Sequence, residues 1–290
     1  MLFALLKTMR PRQWAKNAVV FTALVFDVKL FDPAYLVRTA IAFALLCLLS
    51  SAVYIINDIA DIEKDRQHPT KRFRPLAAGT LSKGTAVTAA IVFLIVAVGG
   101  AFVLSMGFGA LALLYLVVNL LYSFWLKHVV IVDVLMVSAG FIIRVGAGTV
   151  LFPVQRFSPW LYVCMTLLSL FIILGKRRHE ITLLAHGANN HRAVLANYNL
   201  DLLDHMISIV TTSAVIAYSF YTFSAENLPK NHTMMLTVPF VLYGIFRYLY
   251  LIHVQQEGGA PDELLFRDRP LLITVALWGL AVVGVLYFPR

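Results

Sequence analysis

Charge is scarce in this chain: Asp, Glu, Lys and Arg make up 13% of its 290 residues, while 60% are hydrophobic. Soluble domains carry about a quarter charged residues, so a water-soluble globular fold is excluded and a polytopic membrane protein is indicated. Cysteine is scarcer still. Cys47 and Cys164 both lie in apolar runs, so they read as small core residues and no disulfide framework is indicated. A signal-peptide core is also missing: the apolar start Met1–Leu6 is too short, and Arg10, Arg12 and Lys16 follow it on the wrong flank. There is no nucleophile elbow, no Gly-rich phosphate loop and no dinucleotide fingerprint. His68, His128, His179, His186 and His191 show no metal-ligand spacing. Acids are the minority charge, 15 against 24 Lys and Arg, for a net charge of +9. In a membrane protein such an excess collects in cytoplasmic loops against anionic headgroups, so nucleic acid is not expected as a partner.

What the chain has is a series of apolar segments long enough to cross about 30 Å of hydrocarbon at about 1.5 Å per residue. They fall near 17–31, 36–57, 84–105, 108–126, 129–150, 159–176, 205–225, 232–252 and 270–288. The expectation is an all-α bundle of about nine transmembrane helices in one domain, 1–290, the first helix shortened by Asp27 and Lys29. Cytoplasmic loops carry the excess of Lys and Arg. With the N-terminus inside, the inner segments hold Lys7, Arg10, Arg12, Lys16, the run Lys64–Lys83, Lys127, the run Lys176–Arg192, Arg267 and Arg269. The outer loops hold little more than Lys29, Arg38, Arg156 and Lys230. A cytoplasmic N-terminus follows, and the large polar loops 58–83, 177–204 and 253–269 gather at the cytoplasmic face of the plasma membrane. Loops 58–83 and 177–204 each begin at a helix end and run through charges into a polar stretch, which hints at a duplicated four-helix unit.

The densest chemistry lies at Asn57–Pro75, NDIADIEKDRQHPTKRFRP. If the preceding helix continues, about 100° per residue places Asp58, Asp61 and Asp65 within an arc of roughly 60°. Carboxylates crowded on one face repel unless a cation sits between them. Hard oxygen ligands without His or Cys suit Mg²⁺, which takes one or two carboxylates plus waters and substrate phosphates. Lys71, Arg72 and Arg74 then follow, residue types that hold phosphate oxygens. Acids followed by bases read as a clamp for a metal-bound diphosphate. A solvated, orientation-setting loop is the competing reading, and the one-sided spacing speaks against it.

Further candidates are spread along the chain. In Gly175–Glu180, GKRRHE, Lys176, Arg177 and Glu180 share one helix face, which an interfacial basic cluster would also explain. In PRQWAKN, Arg12 and Lys16 lie one turn apart, suited to a lipid phosphate, while Trp14 between them suits a membrane anchor. Tyr122-Ser123 with Lys127 closes the fourth segment, and Asp133 and Arg144 lie in the fifth. An unpaired cation near mid-membrane costs about 2.5–3.5 kcal/mol. Arg144 is three turns from Asp133, so its partner must come from another helix or a ligand. Asp268 and Arg269 sit in the acid-base loop before the last segment.

Together these residues resemble the UbiA prenyltransferase superfamily, integral membrane enzymes of about nine helices. The resemblance rests on Asn57, Asp58, Asp61 and Asp65 in the pattern NDxxDxxxD, on Arg74-Pro75 with Gly79, and on Tyr122-Ser123 with Lys127. Aromatic prenyltransferases of this superfamily carry a second acidic pattern, DxxxD, where this chain has GKRRHE. That departure, with PRQWAKN, NDIADIEKDRQHPTKRFRPLAAG and LFRDR, resembles the decaprenyl-phosphate phosphoribosyltransferase branch. The resemblance implies transfer of 5-phosphoribose from phosphoribosyl diphosphate to a polyprenyl phosphate in arabinan precursor synthesis. It implies Mg²⁺ held by Asp58 and Asp61, with Asp65 directly or through water, and leaving-group charge met by Lys71, Arg72 and Arg74. Lys176, Arg177 and Glu180 would bind the ribose phosphate and hydroxyls, and Arg12, Lys16 or Arg144 the lipid phosphate. Asn57, Tyr122, Lys127, Asp268 and Arg269 complete the substrate-binding set. Prenyl transfer from a prenyl diphosphate is the alternative within the fold, and an ion-coupled transporter the alternative outside it. The bilayer is a partner, and the sequence leaves a homo-oligomer open.

Overall fold

The computed structural model describes residues 1–154, 158–185, 193–226 and 228–288. Arg156, His186, His191 and Arg192 lie outside the described residues. Those described are helical with irregular connections, and no strand occurs among them. In chain order the helices are α1 (Leu2–Met9), a 3-10 segment (Pro11–Phe21), α2 (Thr22–Phe26), α3 (Pro33–Ala60), α4 (Ile62–Gln67), α5 (Lys83–Leu104) and α6 (Met106–Phe124). Then come α7 (Val132–Thr149), α8 (Pro159–Ala185), α9 (Leu200–Ser224), α10 (Val238–His253), α11 (Pro261–Arg267) and α12 (Arg269–Tyr287). Eight segments among the described residues are long and apolar enough to cross a membrane.

The expected first span, 17–31, takes another form. It is wound as 3-10 turns to Phe21 and as α-helix only to Phe26. At about 2.0 Å per residue for the first part and 1.5 Å for the second, the two extend roughly 30 Å. The stop has a local cause: Val28 adopts a left-handed φ of 57°, and Asp27 pairs with Lys29 at 2.7 Å.

The contacts divide the chain into two compact units. The first comprises Met1–Leu24, Leu30–Trp125 and Ile143–Pro153, and α3 is its axis, packed by α1, the 3-10 segment, α5 and α6. Asp32 starts α3 by accepting from the amides of Ala34 and Tyr35, with Pro33 in the first turn. On α5 the buried positions Ala86, Ala90, Ala97 and Ala101 are small, which lets α3 and α5 approach closely. Ile91, Ile95, Val96 and Val103 on α5 are exposed, an apolar surface that suits lipid contact. Gly148, near the end of α7, meets the 3-10 segment so closely that a Cβ would stand 2.2 Å from the Val20 carbonyl oxygen. That approach is what lets Arg144, one turn earlier, reach Asn17.

The second unit comprises Val25–Lys29, Leu126–Ile142 and Val154–Arg290. Here α8 packs on α9 and α10 on α12, around a core that includes Phe171, Leu174, Leu203, Ile207, Tyr248 and Leu251. Phe171 and Tyr248 meet edge to face, ring centres 5.0 Å apart. Asn199 caps α9 through the Leu202 amide at 2.7 Å, and Asp268 caps α12 through the Leu271 amide at 2.8 Å.

Candidate active site

Within the first unit, α3 does not run unbroken through the acidic motif. It ends at Ala60, Asp61 takes φ −100° and ψ 9°, and α4 restarts at Ile62. The amides nevertheless keep helical spacing across the junction, Asp61 to the Asn57 carbonyl at 3.0 Å and Asp65 to the Asp61 carbonyl at 2.8 Å. Asp58 and Asp65 therefore still face one way. Both are 3% exposed, and the Arg74 guanidinium bridges them, 3.1 Å from Asp58 Oδ1 and 2.8 Å from Asp65 Oδ2. Asp61, partly buried at the junction, stands outside this bridge. Gly79, with φ 76°, turns the loop that follows Arg74, in a region that favours glycine.

A second arginine completes the cluster. Arg10 ends α1 in a left-handed turn, φ 55°, and donates to Asp58 Oδ1 at 2.5 Å while its guanidinium lies 4.8 Å from the centre of the Tyr54 ring. A cavity of about 240 Å³ opens on this cluster, lined by Lys7, Thr8, Arg10, Asp58, Phe73 and Arg74 among others. Of the three expected cations only Arg74 enters the acid pair. Lys71 and Arg72 are exposed, Arg72 lying over the Phe73 ring at 4.9 Å. Asn57 is partly buried at the end of α3.

Trp14 and Asn17 of the PRQWAKN stretch face the protein. Trp14 Nε1 donates to Ser51 Oγ at 3.0 Å, which draws it away from a purely interfacial anchor. Asn17, 1% exposed, donates to Ser50 Oγ at 3.2 Å and accepts from Arg144 Nε at 2.8 Å. Arg144 also donates to Tyr115 Oη at 2.7 Å, with its guanidinium 4.6 Å from that ring's centre. The expectation that Arg144 finds its partner on other elements is met by these two residues. Arg12 is exposed, and Lys16 is partly buried. Tyr122 is partly buried near the end of α6.

In the second unit the GKRRHE motif lies on α8. Arg177, 3% exposed, donates to Glu180 Oε2 at 2.7 Å and lies 3.0 Å from Asp133 Oδ2, an ion pair without hydrogen-bond alignment. Asp133, fully buried, accepts from Tyr198 Oη at 2.7 Å. Burial, and then that bond to a carboxylate, push the Tyr198 phenol up to about 12, so the hydroxyl keeps its proton. Arg178 pairs with Asp204 at 2.7 Å, and Lys176 is partly buried. Lys127 is partly buried in the 3-10 turn Leu126–His128. Asp268 caps α12 and accepts two hydrogen bonds from Arg247, at 3.1 and 2.7 Å. That guanidinium holds its carboxyl below the usual carboxylate range. Arg269 is exposed.

Among the described residues no group of three or more His, Cys, Asp and Glu side chains converges as a metal site. Asp58 and Asp65 are the pair the fold brings together, and their donor set fits a hard divalent cation: oxygen only, buried, with positive charge already required between the two carboxylates. Sequence reasoning missed Arg10 and Tyr198 as members of these clusters. Arg10 carried one signal, its place in the basic flank before Pro11.

A family model described as the UbiA prenyltransferase family matches residues 18–267. A decaprenyl-phosphate phosphoribosyltransferase of Mycobacterium tuberculosis is 34% identical over 285 residues, spanning 96% of this chain and 92% of that protein. The enzyme of the same name from Corynebacterium glutamicum is 33% identical, over 98% of this chain and 86% of that protein. A UbiA homologue from Archaeoglobus fulgidus, solved bound to GPP and Mg²⁺, shares the fold with a TM-score of 0.72 at 17% identity, covering 98% of this chain and 99% of that one. The protein is an integral membrane protein, and it belongs to the UbiA prenyltransferase family.

Proposed function

We propose that this chain transfers the 5-phosphoribosyl group of phosphoribosyl diphosphate to a polyprenyl phosphate, releasing diphosphate, at the cytoplasmic face of the plasma membrane. One observation carries the reading. The second charged motif is centred on a cation, with Arg177 buried and its neighbouring acids Asp133 and Glu180 already engaged. Such a motif offers no second pair of free carboxylates for a prenyl diphosphate's metals, and Lys176 within it suits an anionic group instead. Two relatives that are 34% and 33% identical over 96% and 98% of this chain are named for phosphoribosyl transfer, which supports the same conclusion.

The donor carries a diphosphate on C1 and a separate phosphate on C5, so it needs cations at both ends. Asp58 and Asp65, with Asp61 beside them, would hold Mg²⁺ on the diphosphate. When bound, the metal neutralises charge on the leaving group. Arg10 and Arg74, both within 3.1 Å of Asp58 Oδ1, supply guanidinium donors to the diphosphate oxygens as the C1–O bond breaks. Lys176 and Glu180 are assigned to the ribose phosphate and hydroxyls. The lipid phosphate is anionic at neutral pH and forms the new bond to C1 through one of its oxygens. No strong base is required, so rate comes from positioning and leaving-group stabilisation.

The test is direct. Purified protein with Mg²⁺, ribose-labelled phosphoribosyl diphosphate and a polyprenyl phosphate should yield a labelled lipid and free diphosphate. No labelled lipid, together with transfer from a prenyl diphosphate to an aromatic acceptor, would overturn the proposal in favour of prenyl transfer.

A further inference from the structure

Tyr198 contacts the start of α7 directly and, through Asp133 and Arg177, the α8 motif proposed above for the donor's ribose phosphate and hydroxyls. Its hydroxyl donates to Asp133 Oδ1 at 2.7 Å and accepts the amide of Ile131, also at 2.7 Å. Asp133 in turn flanks Arg177, which is bonded to Glu180. The chain of contacts Ile131–Tyr198–Asp133–Arg177–Glu180 therefore joins the start of α7 to the charged motif on α8, 65 residues of sequence separating the tyrosine from its aspartate.

The start of α7 is itself constrained. Ile131 takes φ 68°, a left-handed conformation that is a genuine outlier for a β-branched residue and persists only where surrounding contacts enforce it. Its carbonyl accepts from the amides of Val134 and Leu135, the opening turn of α7, and its own amide is held by Tyr198. Lys127 lies in the 3-10 turn just before it. Strain of this kind at a helix start, fixed by one buried hydroxyl, belongs to sites whose geometry is set in advance.

We infer that Tyr198 is a positioning residue for the phosphoribosyl donor, setting Glu180 through Asp133 and Arg177 and the Lys127 turn through Ile131. The inference rests on the phosphoribosyl transfer proposed above. Tyr198 itself touches no reacting atom. Its hydroxyl stays protonated at neutral pH, so it donates to Asp133 throughout the working range, and the carboxylate in turn keeps Arg177 from swinging towards an incoming phosphate.

The experiment compares two variants that each remove one buried hydroxyl bonded to α7 or its first turn. Tyr198→Phe breaks the network. Ser138→Ala removes the buried Ser138–Ser169 contact between α7 and α8, 2.5 Å, away from the motif. Both should lower the melting temperature in detergent by similar amounts. Only Tyr198→Phe should raise the KM for phosphoribosyl diphosphate, by roughly tenfold, the size of one charge-assisted hydrogen bond, with the KM for polyprenyl phosphate unchanged. Equal donor KM values in wild type and Tyr198→Phe would overturn the inference, as would a parallel rise in Ser138→Ala. Should Tyr198→Phe fail to fold, Asp133→Asn decides on the same readout, a rise in donor KM supporting the network and none refuting it. A wild-type protein that makes no phosphoribosyl lipid at all would instead refute the proposed function.

Discussion

Near the end of α3 two buried carboxylates, Asp58 and Asp65, share one guanidinium, Arg74. Near the end of α8 one buried guanidinium, Arg177, is shared by two carboxylates, Asp133 and Glu180. Each arrangement satisfies buried charge, which is costly when left unpaired. They differ in what can replace the central group. In the proposed reading the cation between the two carboxylates gives way to a metal ion, which would free arginine donors for an anion. Around a single guanidinium the carboxylates have no such substitute, so the centre is fixed and neighbouring cations are left to meet substrate.

The largest effect expected from this contrast is in catalysis. Asp58→Ala should lower phosphoribosyl transfer by at least about a hundredfold, as for removal of a group stabilising transition-state charge, while the protein still elutes as a folded species. Retained turnover would remove the diphosphate assignment. Next come the two central arginines. Arg74→Met and Arg177→Met each break a buried pair from one side, a loss on the order of 3–5 kcal/mol in stability. Millimolar Mg²⁺ with diphosphate should restore much of the lost melting temperature in Arg74→Met and little in Arg177→Met. Equal responses would erase the distinction between the two clusters. Lys176→Ala should raise the donor KM by roughly tenfold, one charge-assisted contact, and leave the acceptor KM alone. An equal effect on both substrates would make the lysine structural.

The smallest effect lies outside both clusters. Arg247 keeps the Asp268 carboxyl below its ordinary pKa, so the pair contributes stability above the unfolded carboxylate range and loses it as pH falls through the lowered value. Asp268→Asn should flatten the acid side of the melting profile, and an unchanged acid slope would refute that contribution.

The helices were legible because a bilayer fixes the length of an apolar run, and Leu200–Ser224 or Arg269–Tyr287 can be read from hydropathy alone. The first span was legible in its shortening by Asp27 and Lys29 but not in its 3-10 winding or its left-handed stop at Val28. At the site, helical spacing put Asp58 and Asp65 on one side even though the helix breaks between them. The break itself was illegible, since nothing in NDIADIEKD forbids helix. Arg10 and Tyr198 were illegible for another reason: their partners lie 48 and 65 residues away, and only tertiary packing decides such pairs. Arg177 read as a substrate cation from its motif, whereas its burial with two acids is a property of the fold.

Asp58 and Asp65 are proposed to hold a divalent cation on a diphosphate. Electron paramagnetic resonance of Mn²⁺ titrated into the purified protein measures this without any turnover. Mn²⁺ should bind tightly only with diphosphate present and should be lost in Asp58→Asn. Occupancy in that variant equal to wild type would contradict the central claim.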